Sequence, residues 1–181
     1  MEKNRTGRSA ILGACLVALI GCGGPTSAPP PPINDPGGGC RLGCQRGFLC
    51  QGQSCVLDPT GRWVVRVTSG SVAARNASGS SWDGDGSAPD PKVCLTINGS
   101  RSCTQTVQDS FAPSWDADFP PATATALQSG VAIEYIDADF SFDDPICSGT
   151  VAVSTANFTS ASWGFVCQGG LGQVSALLIA Q

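Results

Sequence analysis

From Gly61 to the end of the chain, apolar residues come in short runs separated by Gly, Ser, Asn and Pro, and several of these runs alternate. Trp63, Val65 and Val67 share one face of an extended segment. Val131, Ile133 and Tyr135 share one face of another, with Glu134 on the opposite side. A period of two marks a strand with one buried face. The pattern predicts strands over Trp63–Thr68, Lys92–Ile97, Ser100–Val107, Trp115–Phe119, Val131–Ile136, Gly149–Ser154, Ser162–Cys167 and Gly172–Ala180. No stretch carries a convincing helical period. The expectation is an all-β fold, an eight-stranded antiparallel β-sandwich over residues 59–181.

The N-terminal third has a different texture. Lys3, Arg5 and Arg8 precede an apolar run, Ala10–Ile20, that is too short to span a bilayer and suits the core of an export signal. Its end, Leu19-Ile20-Gly21-Cys22, resembles the cleavage box of bacterial lipoproteins. The resemblance implies that residues 1–21 are removed and that Cys22 carries lipid chains, anchoring the chain to the cell envelope. Gly23 in place of Asp implies the outer membrane by the sorting rule of enteric bacteria. The plainer alternative is an ordinary cleaved signal with a chance cysteine. Residues 22–39 hold the run Pro29-Pro30-Pro31-Pro32 between glycines and read as a disordered linker, a stiff spacer with a swivel at each end. At about 3.1 Å per residue it reaches some 50 Å.

Losing residues 1–21 removes Lys3, Arg5, Arg8 and Glu2, which moves the formal charge from −4 to −6. Lys92 is then the only lysine. Nucleic-acid binding needs clustered positive charge and is disfavoured.

There are ten cysteines and no histidine. Setting aside Cys15 in the signal and Cys22 leaves an even number in an exported chain, which reads as disulfides. Cys40, Cys44, Cys50 and Cys55 lie in a stretch, 40–58, too poor in apolar residues for a core of its own; two bridges are expected there, in any of three connectivities. Zinc is the competing reading, but the spacing lacks paired C-x2-C elements. Cys94 and Cys103 flank Asn98-Gly99, the signature of a two-residue type I′ hairpin. Counting outward from that turn sets Cys94 opposite Cys103 at bridging distance. Cys147 is left to pair with Cys167.

The candidate chemistry is acidic. Asp137, Asp139, Asp143 and Asp144 crowd the segment after the run Val131–Ile136, and a second cluster spans Asp83–Asp90. Two carboxylates about 4 Å apart repel by roughly 4 kcal/mol at an effective dielectric near 20. Such clusters either splay into water or hold a cation between them. An oxygen-only donor set suits calcium over transition metals. Asp83-Gly-Asp-Gly is not an EF-hand loop, because the glycine is misplaced and the closing Glu is absent.

The order of three segments adds a resemblance. Asp90-Pro91-Lys92-Val93, then Pro113-Ser114-Trp115-Asp116-Ala117-Asp118-Phe119, then Asp137-Ala138-Asp139 with Asp144, is similar to the motif series of C2-type calcium- and lipid-binding sandwiches. It implies a sandwich with three loops at one end. Calcium ligands would be Asp83 and Asp90 from the first loop, with Asp85 as an alternative or extra ligand, and Asp137, Asp139 and Asp144 from the third. The chain departs from the family pattern at Lys92, where Tyr is usual, at Asp116, where Asn is usual, and in Pro145–Ser148, inserted between Asp144 and Gly149. Phe140 is the candidate lipid-contacting tip. Phe142 is a second, weaker candidate that the core is expected to claim, and Trp82 and Trp115 read as structural.

The function expected is a non-enzymatic, calcium-dependent binding module that engages a lipid surface, a glycan or a protein. The alternative is a structural or interaction lipoprotein in which calcium is absent or only stabilising. Clustered carboxylates also serve glycoside hydrolysis, but the chain has no His and no G-x-S-x-G elbow.

Overall fold

The structure is a computed structural model that describes residues 40, 43–139 and 142–181. The signal, the linker, the lipid site Cys22 and the tip candidate Phe140 lie outside the described residues. The elements, in chain order, are a hairpin of β1 (Phe48–Gln51) and β2 (Ser54–Leu57), then β3 (Arg62–Val72), β4 (Pro91–Ile97), β5 (Ser100–Cys103), β6 (Ser114–Asp118), β7 (Ala122–Thr123), α1 (Ala124–Ser129), β8 (Val131–Asp137), β9 (Asp144–Val151), α2 (Thr155–Ser160), β10 (Ser162–Val166) and β11 (Gly172–Ala180). One sheet has the order β10-β11-β3-β6, with β7 also on β3. The other has the order β5-β4-β8-β9. All pairings are antiparallel. The fold is an all-β sandwich, as the alternation implies.

The inward faces are those the period of two assigns. Trp63, Val65 and Val67 on β3 meet Val131, Ile133 and Tyr135 on β8 in one buried cluster. Tyr135 is the wedge between the sheets. A Cβ on Gly70 would lie 2.8 Å from its hydroxyl, and one on Gly172 would lie 3.1 Å from its ring and 2.6 Å from the Ser71 carbonyl oxygen. Glycine stands at both positions because the ring occupies the space a side chain would need.

Two expected strands differ. The strand placed at Gly149–Ser154 runs instead over Asp144–Val151, with a bulge at Ile146: Tyr135 pairs with Cys147 and Ile136 with Pro145. An extra residue in one strand is the definition of a bulge, and here it keeps Ile146 in the core while Asp144 still faces Asp137. Pro145–Ser148 is therefore part of a strand, not an enlargement of the loop. The strand over Ser100–Val107 stops at Cys103. Two helical turns also stand where the pattern showed none. Each has six residues, too few to display a period, but each is capped: Thr123 accepts from the Ala126 amide, and Ser154 forms a capping box with Asn157. Their buried residues, Leu127 and Phe158, close one end of the sandwich, where Phe158 lies 4.9 Å from Trp63 between ring centroids.

The cysteine-rich stretch docks on that same end. Its bridges are Cys40–Cys50 and Cys44–Cys55, which consume every thiol the zinc reading needed. Phe48 meets Trp63 edge to face at 6.2 Å. Gly47, at φ +83°, lies so close that a Cβ would fall within 2.2 Å of the Trp63 ring. Cys94–Cys103 and Cys147–Cys167 are bridged as expected. Asn98 and Gly99 both take positive φ, as a type I′ turn requires, and Ile97 faces Ser100.

The Tyr135 hydroxyl is buried without a hydrogen-bond partner. A buried polar group left unpaired is costly. Tyr135→Phe is expected to leave stability unchanged or raise it by about 1 kcal/mol, whereas Gly172→Ala should lower it by about 1–3 kcal/mol through overpacking. Urea midpoints of the two variants check both signs.

Candidate metal centre

The inward positions of β8 are Val131, Ile133, Tyr135 and Asp137. The alternation that builds the core ends on a carboxylate. Asp137 is 0% exposed, because register leaves it no other face. Its Oδ1 accepts from the Asp90 amide at 2.5 Å, and its Oδ2 is buried with no partner. The Ala138 amide returns a bond to the Asp90 carbonyl, so β8 and the first loop are clamped to each other. The second loop joins through the Asp109 amide, which donates to Asp90 Oδ1 at 2.8 Å.

Asp83 arrives from the other direction, on the long connection between β3 and β4. That loop is folded by its own polar groups. The Asn76 side chain accepts from the Ser78 and Ser80 amides, and the Trp82 indole N–H donates to the Ala73 carbonyl at 2.8 Å. Trp82 is buried, so its neighbour Asp83 is held in place and its Oδ2 accepts from the Ser87 hydroxyl. Carboxylate oxygens of Asp83, Asp137 and Asp139 converge within 4.8 Å of one another.

The remaining sequence-predicted ligands are placed as follows. Asp90 is half-buried, its charge felt by Asp137 and Asp139 and its own carboxylate engaged by the second loop. Asp144 is exposed at the start of β9, opposite Asp137, with its charge felt by Asp139. Asp85 is not brought in. It is exposed, and its carboxylate accepts from the Ser87 amide, which holds its pKa below the ordinary value. Asp143, the fourth aspartate of the crowded segment, pairs with Lys92 Nζ at 3.3 Å. The residue that departs from the family pattern thus neutralises one of the surplus charges.

Burial pushes the Asp137 carboxyl up to about 6, against the pull of the Asp90 amide, and the charges of Asp83, Asp139 and Asp90 add to the rise. Desolvation also raises Asp139, followed by its hydrogen bond to Asp83 and the charges around it. Two carboxyl groups in hydrogen-bonding contact need a proton or a cation between them. The donor set fits a hard cation: three carboxylates, a partnerless buried oxygen among them, with no thiol or imidazole in the group.

Two aromatic side chains stand out at this pole. Phe142 is 83% exposed, so the core does not claim it, contrary to expectation. Phe111, on the second loop, is 41% exposed. Sequence reasoning missed Phe111 because an isolated Phe among Gln, Asp, Ser and Pro carries no periodic signal.

Solved structures with this architecture are C2 domains. A tandem C2-domain piece of extended synaptotagmin 2 superposes with a TM-score of 0.51 at 15% identity, over 68% of this chain and 42% of its own. A longer piece of the same protein, which adds the SMP domain, gives 0.52 at 14% identity, over 68% of this chain and 27% of its own. A single C2 domain of plant extended synaptotagmin 1 gives 0.50 at 15% identity, over 68% of this chain and 96% of its own. The fold is C2-like. This chain spans less than half the length of the extended synaptotagmin 2 pieces. Compared by sequence, it matches no protein-family model and no curated protein.

A carboxyl whose pKa is higher folded than unfolded contributes stability that is fully present below the unfolded value, near 4, and lost as pH rises through the folded one. Without metal, stability should therefore fall as pH rises from about 4 and level off above the Asp137 value of about 6. Two units correspond to about 3 kcal/mol. Asp58, Asp85 and Asp118 are shifted the other way and act below this window. Thermal melts in EDTA across this range should show the slope, and Asp137→Asn should flatten it.

Proposed function

We propose that the chain is an exported, lipid-anchored, non-catalytic module that binds a surface through calcium held at its acidic pole. The observation that carries this reading is Asp137. A sandwich core that spends an inward strand position on a carboxylate, and leaves one of its oxygens without a donor beside Asp83 and Asp139, is built for a cation to complete. Asp83, Asp137 and Asp139 would hold it, with Asp90 and Asp144 adding charge from the rim. A bound calcium supplies positive charge and open coordination positions for oxygen ligands of a partner. Extended synaptotagmin 2, whose C2 pair shares the fold, is known in a calcium-bound form.

The chain's own residues then determine what is presented. Phe142 and Phe111 offer apolar rings beside the charged cluster, a combination suited to a lipid surface, with an apolar interior under polar headgroups. A glycan or a protein is the other partner class for the same pole. The export signal and the Cys22 anchor rest on the sequence of residues 1–22, and the four disulfides fit an oxidising compartment.

Thermal unfolding of residues 23–181 in EDTA, in millimolar calcium and in magnesium tests the site. Calcium at a hundred times its dissociation constant should stabilise by about 2.7 kcal/mol. The shift should vanish in Asp139→Asn and be small in magnesium. An unchanged midpoint at 5 mM calcium would remove the metal from the reading. Phe142→Ser should keep the calcium shift and weaken co-sedimentation with phosphatidylserine vesicles several-fold; an unaltered pellet would take the exposed ring out of the contact.

A further inference from the structure

The two sheets leave a gap along one side. β5 is the edge strand of one sheet, and β6 and β7 together form an edge of the other. Between these edges, at the Arg62 end of β3 and away from the acidic pole, lies a cavity of about 270 Å³. Register explains it. Ser102 pairs with Leu95 and Ser100 with Ile97, so both serines share the inward face of those buried side chains. The inner faces of a sandwich interdigitate their side chains to fill the core. Two serines at inward positions supply too little bulk, and the floor of Leu95, Ile97 and Phe119 is left open to a ligand-sized space. The facing wall holds Pro120 and Pro121, which have no amide hydrogen to offer.

Arg62 is exposed and lines the same cavity. Arg66, Lys92 and Arg101 each meet a carboxylate. Arg62 meets none among the described residues. Its Nη2 donates to the Pro121 carbonyl at 2.9 Å, which holds the guanidinium against the cavity wall with no other protein acceptor among the described residues. A guanidinium carries five N–H donors in a planar fork that matches a carboxylate. We propose that this cavity binds a small monocarboxylate with an alkyl body, its carboxylate on Arg62 and its chain over Leu95, Ile97 and Phe119. One cation faces the cavity, so one negative charge is matched; a dianion would bring a second charge with nothing to meet it. The volume lies below that of drug-sized sites, about 300–1,000 Å³, which limits the occupant to a short chain. The proposal is independent of the calcium reading, because no residue of this cavity belongs to the acidic cluster.

The test titrates octanoate into residues 23–181, which contain the whole buried core and all four disulfides, dialysed free of metal. Binding is read by calorimetry and by the amide resonances of Ser100 and Ser102 in isotope-labelled protein. Octanoate is expected to bind and to move both amides, and octanol to bind more weakly. Arg62→Gln should weaken octanoate about tenfold, the loss of one charge-assisted contact, and leave octanol unchanged. Ser102→Leu, which grows into the cavity from β5, should abolish the movement of the Ser100 amide with both ligands while its circular dichroism stays that of the parent protein. Should the leucine disturb the fold, the Arg62→Gln comparison decides alone. Still amides at millimolar octanoate, or equal affinity of the parent protein for octanoate and octanol, overturn the proposal. So does an octanoate affinity that Arg62→Gln leaves intact.

Discussion

One carboxylate sets the terms for the upper half of this molecule. Asp137 occupies an inward strand position, directly above Tyr135, in a column that is otherwise apolar. Water cannot reach it, so the surroundings must answer its charge. They do so in part: the Asp90 amide donates to one oxygen, Asp90 is itself fixed by the Asp109 amide, and three loops are thereby drawn to one point. The other oxygen is left open beside Asp83 and Asp139. The loops are organised by an electrostatic deficit that the protein alone does not remove. This makes the pole the least self-sufficient part of the fold.

The lower half is built on apolar contact. Trp63 gathers Phe158 from the sandwich and Phe48 from the cysteine-rich hairpin, and a glycine at position 47 lets the hairpin approach the indole ring. Two disulfides hold a hairpin that buries too little to fold by itself. The division of labour is spatial. Apolar packing and bridges fasten the end at which the chain arrives, and charge is concentrated at the end that faces away.

Much of this is legible in the order of residues. The alternation over Trp63–Val67 and Val131–Tyr135 names the buried faces correctly. The Asn98-Gly99 turn fixes the register that places Cys94 against Cys103, because a two-residue turn leaves no freedom in the count. Asp83, Asp137 and Asp139 stand out as carboxylates at strand ends and do come together. What fails is local and has local causes. The six-residue helices are shorter than two turns and show no period, so only their caps announce them. The bulge at Ile146 breaks the alternation of β9 and hides its first residues. Asp85 looks equivalent to Asp83 in the sequence, and the Ser87 amide, two residues on, takes its carboxylate.

The strand faces, the bridge across the hairpin and the composition of the acidic clusters follow from the sequence unaided, because each depends on spacing along the chain. Tertiary closure is what settles which carboxylates converge, that Asp137 is buried with one oxygen unanswered, that Phe142 and Phe111 project while Trp82 does not, and that the cysteine-rich hairpin packs on Trp63. Those outcomes depend on how residues tens of positions apart are brought together by two sheets closing on each other. Burial, desolvation and the direction of a side chain at a loop are properties of that closure, and no local pattern encodes them.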